Sequence, residues 1–256
     1  MTPVTLAAIA ELPDFQPGDD LARAIGDGLV ASGHGMEPGD ILCVAQKVFS
    51  KVEDCFVALD GVTPSDAAEA YAQDLGKDAR KVEVVLRQSK RVVRAFRHPG
   101  QAEGTMICEH RLGFISANAG VDESNLDRPG TVLTLPVAPD ASAAALADAL
   151  SARFGGPIGV VMTDTFGRPW RLGQVNVAIG LAGVPATLRL DGEADGYGRT
   201  LSVTEPALAD ELAAAAGLVM GKAAKTPVVL VRGLEWTPGP ASAQDLLRKK
   251  DEDMFQ

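Results

Sequence analysis

Between Arg91 and Ala119 the chain reads as three short strands in direct succession: Val92-Val93, Thr105 to Cys108, and Phe114-Ile115, with Gly104 and Gly113 as punctuation. Strands that follow one another with no helix between them predict an antiparallel or mixed sheet rather than repeated βαβ units. Upstream the pattern alternates. Asp19 to Ser32 carries Leu21, Ile25 and Leu29 at helical spacing, and Ile41 to Phe49 is a β-rich apolar run interrupted by Gln46 and Lys47. Polar residues inside a buried strand need partners. Thr63-Pro64-Ser65-Asp66 reads as a helix start, and Lys77 to Ser89 repeats Val82, Val85 and Leu86 on one face.

Downstream, Asp140 to Phe154 is expected to be a helix opened by Asp140 and closed by Gly155-Gly156-Pro157. Ile158 to Met162 then forms a short buried strand that runs straight into Thr163-Asp164-Thr165. Glu205 to Met220 reads as a long Ala-rich helix, Lys222 to Lys225 as a loop, and Pro227 to Val231 as another buried strand. No internal repeat or low-complexity linker marks a boundary. With a prior of about 150 residues per domain, the 256 residues make one large domain or two small interlocked ones. Leu246 to Gln256 is a charged tail without a core of its own.

Charge excludes one class of partner. Lys plus Arg number 24 against 34 Asp plus Glu, a formal charge of -10, so the chain gains little from counterion release on a nucleic acid. If such a body binds phosphates or carboxylates, it must gather positive charge locally, from lysines, arginines, helix N-termini or metal ions. The first basic residue is Arg23, which argues against a signal peptide, and Ala207 to Met220 is too short and, with Asp210 and Glu211, too charged to span a bilayer. Cys43, Cys55 and Cys108 form no CxxC pair and are odd in number, so they read as reduced core thiols of a cytoplasmic protein.

Three polar segments adjoin apolar runs. In Asn118-Ala119-Gly120-Val121-Asp122-Glu123-Ser124-Asn125 the small residues let a ligand approach the backbone, with Asp122 and Asn125 one turn apart. The segment suits a hard cation with phosphate oxygens, or equally an Asx-rich turn capping a helix. Thr163-Asp164-Thr165-Phe166-Gly167-Arg168-Pro169-Trp170-Arg171 reads as a loop with a carboxylate and hydroxyls for a divalent ion and two arginines for a phosphate or carboxylate. The alternative is a loop tied by local Arg–Asp pairs. Gly217-Leu218-Val219-Met220-Gly221-Lys222 is not a Walker A loop: it has three residues between the glycines, and Ala223 follows the lysine.

Other motifs fail. Gly196-Tyr197-Gly198 lacks the third glycine of a dinucleotide fingerprint, and His34, His98 and His110, all read as surface residues, accompany no nucleophile elbow. Asp164 lacks the second Asp of an aspartyl-phosphate enzyme, because Phe166 stands there.

The segments Ala45-Gln46-Lys47-Val48-Phe49-Ser50-Lys51, Ala117 to Asn125, Thr163 to Arg171 and Leu218-Val219-Met220-Gly221-Lys222, in this order, closely resemble the coenzyme F420-0:L-glutamate ligase family. The resemblance implies an α+β fold with mixed and antiparallel sheets, two interlocked subdomains and a homodimer. It implies a ligase domain over 1–245, followed by the tail at 246–256 and no fused nitroreductase-like domain. The implied reaction is GTP-dependent: the acceptor carboxylate of F420-0 is phosphorylated, and L-glutamate then displaces phosphate to form an amide, with further additions γ-linked. GTP is the co-substrate, Mg2+ or Mn2+ is required, and K+ is a further candidate cation; neither nucleic acid nor membrane is a partner.

Carried over residue by residue, the resemblance implies that Asp122 and Asp164 hold one metal and Thr165 a second, with Asp122, Asp164 and Lys51 as the catalytic set. The nucleotide contacts implied are Leu12, Pro13, Asp14, Phe15, Gln46, Lys47, Lys51, Asn125, and Met220, Gly221, Lys222, Ala223, Ala224, Lys225 and Thr226. In the family's archaeal members the position of Lys222 is acidic and binds the second metal. Arg168, Arg171 and Arg199 are further candidates for gripping carboxylates.

Overall fold

The computed structural model describes residues 3–221 and 225–252. In chain order the elements are β1 (Thr5–Ala8), α1 (Leu21–Ala31), β2 (Ile41–Ala45), α2 (Gln46–Val52), β3 (Phe56–Ala58), α3 (Asp66–Leu75), α4 (Ala79–Gln88), β4 (Ser89–Phe96), β5 (Thr105–His110) and β6 (Ile115–Ala117). They continue with β7 (Thr131–Leu133), α5 (Pro139–Phe154), β8 (Gly159–Arg168), β9 (Arg171–Ala182), α6 (Leu208–Gly217) and β10 (Val228–Arg232). This is an α+β architecture.

The largest sheet is mixed, in the order β1-β10-β2-β8-β9, and only the β2–β8 pair is parallel. A central strand is covered on both faces and therefore reads as a continuous apolar run. Ile41, Leu42, Cys43 and Val44 of β2 are indeed fully buried, and each large aliphatic among them contributes about 1.5–3 kcal/mol relative to an exposed position. The predicted strands between Arg91 and Ala119 form the antiparallel sheet β4-β5-β6, and β3 pairs with β7. The main hydrophobic cluster lies around the five-stranded sheet; a second, between α3, α4 and β5, includes Ala68, Leu75, Val82 and Met106.

Local chemistry explains the helix ends that the sequence announces. Asp20 accepts the amide of Arg23 at 2.9 Å, Ser65 that of Ala68 at 3.3 Å, and Asp78 that of Arg80 at 2.9 Å. Gly155 closes α5 at φ 81°, a conformation costly for any residue with a Cβ.

The structure corrects five readings. The apolar run from Ile41 stops being a strand at Ala45. Gln46 begins α2, and its carboxamide accepts the Ser50 hydroxyl at 2.7 Å, one helical turn away; an apolar run alone does not tell strand from helix. Thr163 to Arg168 is not a loop but the outer half of β8, hairpinned onto β9, a strand absent from the sequence reading. The helix after Pro206 is shorter than expected, spanning only Leu208–Gly217. The segment around Asp122 caps no helix. Asn118, Ala119 and Gly120 all take positive φ (50°, 48° and 70°), and Asp122 then accepts the Ser124 amide at 2.7 Å in an Asx turn. Asp140 does not cap α5, which starts at Pro139. Its carboxylate instead accepts the amide of Leu181 at 2.8 Å and that of Ala243 at 3.1 Å.

β9 is one of the two edges of the large sheet, opposite β1, and carboxylates from two helices cover it. Besides Asp140, Asp210 of α6 accepts the Ala178 amide at 2.9 Å. Burial raises the Asp210 pKa, opposed by that hydrogen bond. Amides that would otherwise template another strand are thereby satisfied. The expected tail is anchored at its start, where Leu246 and Leu247 pack against the main cluster.

Of the three histidines read as surface residues, His110 is fully buried. Its Nδ1 accepts the Leu112 amide at 3.0 Å, which places the proton on Nε2, and Nε2 finds no partner among the described residues. Burial, with Arg111 and Lys90 nearby, lowers its pKa from 6.5 to about 4. Between those values the unfolded chain binds a proton that the folded chain refuses, so stability falls as pH drops from about 6.5 towards 4, by up to about 3 kcal/mol. Denaturant titrations at pH 7 and pH 4.5 should show this loss, and His110→Phe should remove most of it; an unchanged pH slope in the variant would refute the assignment.

Candidate active site

β2 and β8 run parallel and side by side, with Ala45 opposite Thr163. Beyond this pair both chains present polar residues at the carboxyl ends of the strands, the place where parallel strand pairs bind ligands. β2 passes directly into Gln46 and Lys47 of α2, and β8 continues through Asp164 and Thr165. Antiparallel β10 begins at the same end, bringing Thr226 and Pro227 alongside.

The result is an open cleft of ≈ 1020 Å³. Leu12, Pro13, Asp14, Phe15, Gln46, Lys47, Lys51, Asn125, Met220, Gly221, Lys225 and Thr226 all line it, together with Asp122, Asp164 and Thr165. Five separate stretches of sequence thus meet in one cavity. Lys222, Ala223 and Ala224 lie outside the described residues. None of the three candidate arginines lines the cleft. The guanidinium of Arg168 bonds instead to the Leu172 carbonyl across the β8–β9 turn.

Within the cleft, Lys47 Nζ lies 2.6 Å from Asp122 Oδ2 and 2.5 Å from the Ser124 hydroxyl. Burial of Asp122 opposes its ionisation, but Lys47 and the Ser124 donors outweigh it and hold the carboxyl below its usual range. Asp164 Oδ1 accepts the Thr165 amide at 2.8 Å, and the Thr165 hydroxyl lies 3.0 Å from Asn176 Oδ1. Lys225 Nζ stands 3.4 Å from Asp14 at the rim.

The donor set fits a hard divalent ion. Asp122, Asp164 and the Thr165 hydroxyl offer oxygen ligands, and Asn118 Oδ1 is buried in the same wall without a partner among the described residues. Among the described residues no three His, Cys, Asp or Glu side chains converge as a closed cage. Mg2+ is ordinarily held by one or two carboxylates plus substrate phosphates, so two aspartates suffice. Among the described residues, the charged side chains of the lining are Asp14, Asp122, Asp127 and Asp164 against Lys47, Lys51 and Lys225. A cation accompanying a polyanion would offset the repulsion of these aspartates.

The sequence reading missed Gln174, Val175 and Asn176 of β9, which form the wall facing α6. A signal was present: Gln174-Val175-Asn176-Val177 alternates polar and apolar just after Gly173, the period of a half-buried strand.

Fold and cleft define an α+β protein whose carboxylates and lysines gather at the end of a central parallel strand pair. Residues 10–233 match the family model for F420-0:Gamma-glutamyl ligase, and the chain belongs to that family. It is 44% identical over 246 residues to the coenzyme F420:L-glutamate ligase of Methanopyrus kandleri, covering 94% of this chain and 93% of the relative. The enzyme of the same name from Methanothermobacter thermautotrophicus is 38% identical over 256 residues, covering 99% of both chains. Among the described residues no helix is long and apolar enough to cross a membrane.

Proposed function

We propose that the chain joins L-glutamate to coenzyme F420-0 in a GTP-dependent reaction, adding one or more γ-linked residues and releasing GDP and phosphate. The observation that carries this reading is the meeting in one cleft of residues from five distant stretches of sequence. Family membership and two relatives named as F420:L-glutamate ligases support the acceptor and the amino acid.

In this reading the acceptor carboxylate attacks the γ-phosphorus, GDP departs, and the acyl phosphate is opened by the glutamate amine, which loses a proton as phosphate leaves. Lys51 and Lys47 on α2 offer point charges to phosphate oxygens, and Asn125, Met220, Gly221, Lys225 and Thr226 would contact the nucleotide. Asp122 and Asp164 would hold Mg2+ or Mn2+, whose charge would offset that developing on the phosphates during transfer. With a cation on Asp122, the ammonium of Lys47 that now pairs with that carboxylate would be available to phosphate oxygens.

The fold also leaves a surface that suits a homodimer. Trp170 and Leu172, at the tip of the β8–β9 hairpin, are 86% and 96% exposed, and large apolar residues grouped at a protruding tip mark interaction sites.

The test is mass spectrometry of products after incubation with F420-0, L-glutamate, GTP and Mg2+ or Mn2+, omitting one component at a time. Glutamate adducts that vanish without GTP or without the cation are the expected result. GTP binding with no adduct would point to another carboxylate acceptor or to a binding protein, and phosphate release without any amine would point to a phosphohydrolase.

A further inference from the structure

Asn176 belongs to none of the sequence motifs, yet it sits where several of them meet. It stands directly across the β8–β9 ladder from Thr165, so the two side chains share a face. The Thr165 hydroxyl donates to Asn176 Oδ1 at 3.0 Å. A carbonyl oxygen only accepts, so the hydroxyl proton is committed to Asn176 and the Thr165 oxygen keeps its lone pairs for another partner. The other end of the amide is held as well: Nδ2 lies 3.7 Å from Met220 Sδ. A flipped amide would set its oxygen against a thioether, which cannot donate, so this orientation is the one the surroundings select.

Space for the amide is provided by Gly217, the last residue of α6. A Cβ there would lie 3.2 Å from Asn176 Nδ2 and 3.3 Å from its carboxamide carbon. The fit is tight enough that even a methyl group would displace the side chain.

We propose that Asn176 is a positioning residue: anchored at Met220 and seated beside Gly217, it fixes the Thr165 hydroxyl with its oxygen available to a hard divalent cation in the cleft. The inference rests on the reading of Thr165 as a cation ligand. Asn176 itself need not touch cation or substrate.

The experiment is a titration of the full chain with Mn2+ in the presence of a saturating non-hydrolysable GTP analogue, followed by loss of the free-Mn2+ paramagnetic resonance signal. Wild type, Asn176→Ala, Thr165→Val and the double variant form a cycle. If Asn176 acts through Thr165, each single variant weakens Mn2+ binding about 10-fold and the double variant is no weaker than Thr165→Val alone. Losses that multiply to about 100-fold, or an unchanged affinity in Asn176→Ala, overturn the inference while leaving the ligase reading standing. A wild-type chain that binds neither Mn2+ nor the analogue overturns both. Gly217→Ala separates positioning from folding, because it favours the helix yet crowds Asn176. It should weaken Mn2+ binding several-fold without lowering the melting temperature, and wild-type affinity in this variant again overturns the inference.

Discussion

Asp164→Asn is expected to lower glutamate-dependent GDP release about 1000-fold, corresponding to about 4 kcal/mol of lost transition-state stabilisation. The melting temperature should stay within about 2 °C of that of the unsubstituted chain. The two halves of the prediction come from different parts of the side chain. Structurally, Asp164 contributes an oxygen that accepts the Thr165 amide at 2.8 Å, and Asn can present the same oxygen there. The pairing of Asp164 with Val177 across the hairpin is made by backbone and is indifferent to the substitution. Electrostatically, the substitution removes one of the four carboxylates that line the cleft among the described residues, one of the two proposed to share a cation. A divalent ion without that charge binds more weakly and neutralises phosphate less well. Steady-state assays at saturating Mg2+ or Mn2+, paired with calorimetry, decide the matter. Activity within tenfold of wild type would remove Asp164 from the catalytic set, and a melting temperature lowered by 10 °C would mean that the carboxylate serves the fold.

The residues of the cleft were more legible than its walls. Lys47, Asp122, Asp164 and Met220 stand in segments where polar and small residues adjoin an apolar run, and such contrasts survive in one dimension. The partner of Lys47 did not. Nothing in the spacing of Lys47 and Ser124 predicts that they meet, because the contact depends on how α2 and the Asx turn at Asp122 approach in space. Gln46 shows the limit of periodicity: it looked like a polar fault in a strand and is the first residue of a helix, its need met one turn on by Ser50. β9 escaped for a related reason. It is exposed over Arg171 to Gln174, half-buried over Val175 to Val177 and buried over Ala178 to Ala182, so neither an alternating nor a continuous apolar pattern covers the whole strand.

The readings of His110 and Asp140 failed differently. Each was assigned from its neighbours in sequence, whereas its role is set by distant ones. His110 ends an alternating buried face, Met106, Cys108 and His110, and that period was readable in Thr105 to His110. What was not readable is that the sheet face is closed over the ring, so that the imidazole is kept neutral. In both cases a polar side chain was assumed to seek water or the nearest amide, and the fold supplied a third option.

Asp140→Ala should therefore destabilise the chain by about 3 kcal/mol, far more than loss of an exposed helix cap, which costs about 1 kcal/mol. One oxygen, Oδ1, accepts the amides of Leu181 and Ala243, and Oδ2 accepts the Ser242 hydroxyl at 2.7 Å. Leu181 and Ala243 are buried, so alanine at position 140 leaves two amides out of reach of water, each costing about 1–3 kcal/mol. For a chain of this size the melting temperature should fall by about 10 °C. Asp140→Asn discriminates between the two roles. Its carbonyl oxygen keeps both amide bonds, and Ser242 can turn its hydroxyl to accept from the new N–H, so the loss should shrink to about 1 kcal/mol. Urea titrations of the two variants give the answer: a loss near 1 kcal/mol for both would reduce Asp140 to an ordinary helix terminus. The predicted difference between them follows from β9 being a sheet edge that this carboxylate closes, so the same strand that carries Asn176 into the cleft is held from behind by α5.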